Sequence, residues 1–497
     1  MTEQKTHSNN SEVITMRAEN RNIGTRLREH IIETAMNNLS GKQILPRLML
    51  IALLVLMTRS LPLQAQTIRT RVMTRIFWQD RDTDQLSYAD ITTADKWSIK
   101  RGWVKGFPKL DTEKQDLVQM KACGGMLMVG VRDHDDGKYQ SGWVAIDTGV
   151  AEEPHGNHTH WKYTRTPTVK TAKLDTDQGN PAHVYVYEGQ FYLANDTKNG
   201  FTKAAPTDFV QTGVQNVARF FPGGGNHITL AAVHNTVAYS SWIDGGGPNA
   251  GRVDVVDLRQ SEPKISYSFN LPTGVIHGAT TNSGKVFLAP ADGVCWVAAD
   301  TSLRQSADSV KVHHLSLGTD AESDRPLRTG AFENSRNWVL FSSGTADQSA
   351  LCLANAALTE PKIVKVPVDV ADGLKLTTPK TVLSLGKRYA FLFQDRTDPA
   401  SEVQEQLTIV ELDPNRDRDY SDARIKISLP VGASKVEGHS GHHALTFDAY
   451  GRYAIFTEPA NGIVNVMSLQ NFSIVAKFRV GGVPDSIVAV GAPEHHH

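Results

Sequence analysis

Residues 183–194 read HVYVYEGQFYLA and residues 227–241 read HITLAAVHNTVAYSS, and the two stretches share one plan. A histidine opens a short apolar run, a Gly or Asn breaks it, and a second apolar run follows. Runs of this length bounded by turn residues read as paired β-strands. The plan recurs as Asp116-LVQMKACGG-MLMVGV, His277-GATTNSG-KVFLAP, Thr329-GAFENSRN-WVLFSS, Thr378-PKTVLSLG-KRYAFLF and His443-ALTFDAYG-RYAIFTE. Successive starts lie 67, 44, 50, 52, 49 and 65 residues apart. A four-stranded propeller blade takes about 40–50 residues, so the two long gaps mark blades with inserted loops.

The two ends of the repeat complete each other. Val483-PDSIVAVG reads as a first strand with no second, whereas Ile68-RTRVMTRIFW, Gln85-LSYADI and Trp97-SIKRGWV read as three strands lacking a first. Joined, they make an eighth blade, and closure by both termini removes the sheet edges that would otherwise template aggregation. The expected fold is therefore all-β, a single β-propeller over residues 66–497 with eight blades, seven being the alternative. After residue 66 hardly any stretch carries helical periodicity.

The front of the chain reads differently. Lys42 and Arg47 precede an unbroken apolar run from Leu48 to Met57, followed by small Ala65 at a plausible cleavage point, which is the pattern of a secretory signal peptide over residues 36–65. Ten apolar residues fall short of the roughly 20 that span a bilayer as a helix. Residues 1–35 lie upstream of an ordinary leader, and Met16 or Met36 is the expected true start. The expected product is an exported, periplasmic monomer that is not inserted in a membrane once the signal is removed.

Composition removes several functions. With 52 Lys and Arg against 53 Asp and Glu, the formal net charge is −1, and there is no basic stripe for nucleic acid and no polybasic membrane patch. Cys123, Cys295 and Cys352 form no CxxC and allow at most one disulfide. No GxSxG, phosphate-binding Gly-rich loop, HExxH or dinucleotide GxGxxG is present, so no enzyme is expected.

Histidine carries the remaining signal. Because the first strand of each blade lines the channel, residues at one repeat position form a ring at one end of it. His183, His227, His277 and His443 open four of the seven aligned units. The segment before the first of them carries Glu153-P-His155-G-N-His158-T-His160, expected to open onto the same end, and Glu437-G-His439-S-G-His442-His443 precedes the last. Neutral imidazole is a common zinc ligand, and three or four donors must converge. His183, His227 and His277 suit one site on rigid strands, and His155, His158 and His160 suit a second on a loop. His439, His442 and His443 complete the candidate ligands. His134, His234, His313 and His314 lie off the pattern and read as structural, and His495–His497 form a tail that composition does not assign.

These motifs resemble those of the AztD family, periplasmic zinc metallochaperones encoded beside a zinc ABC importer. The family's acidic, His-rich loop is similar to Glu153-P-His155-G-N-His158, and its PHHG-like strand start to Gly225-N-His227. Its LHG segment and following ADGV turn resemble Ile276-His277-G-A-T and Ala291-D-G-V, and its P-x-x-IVAVG ending is matched by Pro484-DSIVAVG. Pro154 stands where the family has an acidic residue, Asn226 replaces the first histidine of a pair, and no His-rich arm precedes the first strand. The resemblance implies an eight-bladed propeller that binds zinc through channel and loop histidines and passes it to the importer's solute-binding protein. Two other readings stand beside it: an interaction platform with structural histidines, and a lactonase-like metal hydrolase.

Overall fold

The computed structural model describes residues 70–156, 158–210 and 218–494. The expected leader at 36–65, residues 1–35 and the tail at 495–497 lie outside the described residues.

Eight sheets form the ring, each antiparallel, which settles the blade count at eight rather than seven. Blade one joins the two ends of the chain: Pro484–Val490 is innermost, followed outward by Arg71–Asp80, Gln85–Thr93 and Trp97–Trp103. Its register sets Phe77 against Val488 and Trp78 against Ile487. Blades two to eight begin on the innermost strands Gln115–Cys123, Pro181–Tyr187, Leu230–Val233, Ala279–Asn282, Glu333–Ser335, Lys380–Ser384 and Leu445–Phe447.

Both long repeats carry extra chain: a hairpin in blade two, and long connections at 397–405 and 412–423 in blade seven. In blade two the third and fourth strands are separated by an extra hairpin, Ala151–His155 with His158–Lys162. In blade seven the innermost position is split into Leu374–Leu376 and Lys380–Ser384, both paired with Lys387–Arg396. Pro379 lies in the break, where a residue without an N–H cannot extend the ladder.

Burial explains why middle strands read as continuous apolar runs. Val237–Ser241 is buried at every residue because neighbouring blades cover both of its faces, whereas the outermost Ser473–Arg479 has no buried residue. The core is accordingly a set of layers between blades. Val237, Tyr239 and Val253 of blade four pack with Val286, Leu288 and Val297 of blade five. Blade one is held on both sides: Ile76, Trp78 and Ala89 pack with Ile455 and Val464 of blade eight, and Phe77 and Leu86 pack with Leu127 and Val129 of blade two. Arg75 adds a polar tie, donating to both Asp90 carboxylate oxygens and to the carbonyls of Thr148 and Arg165. Cys295 and Cys352 are buried free thiols, and Cys123 is a half-buried one.

Because Pro484–Val490 supplies the inner edge of blade one, deleting residues 483–497 should lower the melting temperature of the whole ring in one cooperative step. Thermal unfolding of the truncated protein checks this; an unchanged midpoint would contradict the closure described here.

Candidate metal centre

The glycine-rich turn before blade four shows how the sequence aims a histidine. Gly223 and Gly224 have φ of +131° and +78°, and Asn226 follows at +65°, the left-handed region that Asn tolerates better than most side chains. Asn226 donates its side-chain amide to both oxygens of Asp244, at 2.9 and 3.0 Å. The turn delivers His227 to the channel mouth, half-buried. In the next blade, Gly278 lies against Gly330, where a Cβ would meet the Gly330 carbonyl oxygen at 3.0 Å. That close approach lets Nδ1 of His277 lie 3.2 Å from the same carbonyl.

Four imidazoles gather here. His183 and His227 face each other with Nε2 atoms 3.0 Å apart. Ring centroids are separated by 4.7 Å for His183 and His227, 5.1 Å for His227 and His277, and 6.4 Å for His183 and His277. The fourth, exposed His439, comes from the connection between blades seven and eight and stacks on His277 at 5.9 Å. Zinc–nitrogen bonds of about 2.0–2.1 Å place tetrahedral ligand nitrogens roughly 3.3 Å apart and their ring centres about 5 Å apart. Small side-chain rotations would bring the rings of His183, His227 and His277 to that spacing, and His439 lies 5.9 Å from His277.

The surroundings of His183 and His277 favour the lone pair over a proton. Burial, then the neighbouring His227 and His277, hold the His183 imidazole well below its ordinary pKa, and burial lowers that of His277. His183, His227 and His277 each also have a partner behind the ring. Gln119 lies 3.0 Å from Nδ1 of His183, and Oδ2 of Asp196 lies 3.4 Å from Nδ1 of His227. Asp196 is almost fully buried, takes the Ile228 N–H at 3.0 Å and meets Arg132 at 3.4 Å. Sequence reasoning missed Gln119, Asp196 and Arg132. None carries a motif, and Gln119 reaches its position through a register shift between Leu117 and Met120.

Not every candidate histidine joins this group. His442 and His443 turn instead to the buried Asp395: Nδ1 of His442 is 2.9 Å from Oδ2, and Nδ1 of His443 is 2.7 Å from Oδ1. Nε2 of His443 is 2.8 Å from the Gly432 carbonyl oxygen, so both ring nitrogens have acceptors and the ring is held as an imidazolium. It stacks on Phe393 at 4.6 Å. Asp395, Glu405 and His443 offer ligand atoms within 4.8 Å of one another. Glu405 is already engaged by the Ser434 hydroxyl and by the backbone N–H groups of Arg396 and Ser434. The cluster is therefore best understood as a structural knot.

The hairpin bearing His155, His158 and His160 does not open onto the same end of the channel as the four imidazoles, contrary to the sequence expectation. It joins the third and fourth strands of blade two, and antiparallel order puts that connection at the end where first strands turn into second strands. Its neighbours agree: the Tyr450 hydroxyl, from the first turn of blade eight, donates to the Thr159 carbonyl. Tyr163 donates to the carbonyl of Ala492, beyond the end of blade one's inner strand. On this opposite face the rings of His155 and His160 lie 4.9 Å apart, and Glu153 pairs with Lys162 at 2.6 Å. The off-pattern histidines have local partners: Asp116 for His134, Glu188 for His234, the Trp296 ring for His313 and Asp292 for His314.

The molecule is thus an eight-bladed propeller with a histidine-lined channel mouth. Among solved structures it is similar to apo AztD from Citrobacter koseri, with a TM-score of 0.55 and 15% identity over 86% of this chain and 100% of that one. A second crystal structure of Citrobacter koseri AztD gives a TM-score of 0.54 at the same identity and coverage. At this identity the likeness shows the fold, which is the one the sequence resemblance implies. No protein-family model and no curated protein sequence matches the chain.

The knot around Asp395 carries a pH dependence. Burial opposes the charge on His443, but Asp395 outweighs it and raises the pKa above the ordinary value; burial likewise opposes the charge on Asp395, and His443 and His442 lower its pKa. The raised His443 pKa gives stability that is complete below about 6.5 and is lost as pH rises through the folded value, while the depressed Asp395 pKa gives stability that is lost as pH falls through its own. His443→Gln should therefore cost about 3 kcal/mol near pH 6, with a shrinking penalty at alkaline pH. Denaturant unfolding of both proteins across pH checks this; a penalty independent of pH would contradict the charged pair.

Proposed function

We propose that this protein carries zinc as cargo at the channel mouth, held by His183, His227, His277 and His439, and hands it to the solute-binding protein of a zinc ABC importer in the periplasm. The carrying observation is the convergence of four imidazoles from separate blades, with two Nε2 atoms already near ligand spacing. Nitrogen ligands of this kind suit zinc, and also copper, so selectivity would follow from geometry and supply. Three of the ligands sit on or beside rigid inner strands and lose little freedom on binding, while exposed His439 rides on a connection that a partner can reach.

No catalytic role is assigned. The leader-like segment and the family resemblance support the periplasmic setting and the choice of acceptor. No helix among the described residues is long and apolar enough to cross a membrane. The hairpin on the opposite face supplies a second, separate set of donors, His155 and His160. His158 lies beside them in the chain.

The two faces should behave independently. Replacing His227 or His277 by Ala should weaken the tightest zinc by at least tenfold, or ~1.4 kcal/mol. Replacing His155 and His160 together should leave that affinity unchanged. Competitive zinc titration of both sets, followed by transfer to a chelator, checks this; parallel loss of one site in both sets would contradict the separation, and no loss in either would make the mouth histidines structural.

A further inference from the structure

The three channel histidines are not held alike. Nδ1 of His277 is 3.2 Å from the Gly330 carbonyl oxygen, and Nδ1 of His227 faces an oxygen of the Asp196 carboxylate at 3.4 Å. Both neighbours are acceptors, so both favour the tautomer with the proton on Nδ1. A neutral imidazole carries one such proton, which leaves Nε2 with the lone pair a metal needs.

His183 is turned the other way. The backbone N–H of Val184 donates to Oε1 of Gln119 at 3.1 Å, which fixes the orientation of that amide. Its NH2 group is therefore the one 3.0 Å from Nδ1 of His183, and a donor there requires Nδ1 to accept. The proton of His183 then sits on Nε2 and is donated to Nε2 of His227 at 3.0 Å. The links run in one sequence: Gln119 donates to His183 and His183 donates to His227, whose Nδ1 lies on the side of the Asp196 carboxylate at 3.4 Å.

We propose that Gln119 is a positioning residue that holds His183 in the tautomer unable to ligate through Nε2, making it the weakest of the four zinc ligands and the first released when zinc is handed on. This rests on the four-histidine reading above. For His183 to bind, its Nε2 proton leaves to water and Nδ1 takes one from water, so net charge is unchanged. Nδ1–H then meets the Gln119 NH2 donor to donor. The amide cannot rotate to relieve this without setting its NH2 against the Val184 N–H. Second-shell partners of metal-bound histidine are usually acceptors, and exchanging them alters affinity by about 10–100-fold.

The test is Gln119→Glu, whose carboxylate accepts from both Val184 N–H and Nδ1–H of His183. Zinc affinity should rise by about tenfold or more, and transfer to a chelator should slow in proportion. Nitrogen-15 NMR of the zinc-free proteins should show His183 protonated at Nε2 in the wild type and at Nδ1 in Q119E. This readout separates a tautomer effect from the attraction of an added negative charge. A wild-type His183 already protonated at Nδ1 overturns the proposal, and this measurement needs no variant. So does a folded Q119E that binds and releases zinc as the wild type does, or one that tightens zinc with its tautomer unchanged. Failure of the four-histidine reading is a different result: zinc affinity unmoved in His227→Ala.

Discussion

A propeller blade cannot bury itself. Each sheet here is covered on both faces by neighbouring sheets, and the row of sheets ends in exposed layers unless the last meets the first. The pairing of Pro484–Val490 with Arg71–Asp80 supplies that meeting, with Phe77 and Trp78 pointing into the layers on either side. Closure also sets the site. Once the ring is complete, the starts of the inner strands face one another across a channel, and residues far apart in sequence become neighbours. His183 and His439 are 256 positions apart by subtraction of their numbers, yet both rings lie beside that of His277, one edge-on and one stacked.

The mouth and the opposite face carry different chemistry. At the mouth, three of the four imidazoles sit on or beside the inner strands with a partner behind each: a buried carboxylate, a carbonyl and an amide. Low dielectric and like neighbours keep His183 neutral, which makes it available to a metal without first losing a positive charge. Such preorganisation favours tight holding, and a carrier must also let go. An exposed ligand on a connecting loop and a strand ligand held in the wrong tautomer are two ways in which one site can be firm yet releasable.

Much of this was legible in the sequence, because a propeller writes its geometry as a period. The hairpin repeat with a histidine at its start gave the all-β ring, the inner strands, the joined termini and three of the four imidazoles at the mouth. What the repeat did not reveal depended on features that a period does not carry. The loop at 155–160 leads towards His183 along the chain, which suggested a shared mouth; the parity of antiparallel strands sends it to the other end. His443 holds the equivalent repeat position but meets Asp395, an acidic residue 48 positions earlier on a strand whose depth the sequence does not reveal. His439, by contrast, lies outside the repeat position and reaches the mouth through the turn that carries it. Gln119, Asp196 and Arg132 are ordinary strand and turn residues until the blades are stacked.

The central claim is that nitrogen donors from separate blades hold zinc at one mouth of the channel. X-ray absorption at the zinc K-edge, on protein loaded with one equivalent of zinc, tests it most directly. The account requires four imidazole nitrogens at about 2.0–2.1 Å, with outer-shell scattering from histidine rings that falls by one ring in His227→Ala. A shell of sulfur or carboxylate oxygen, or a spectrum unchanged by that substitution, would contradict it.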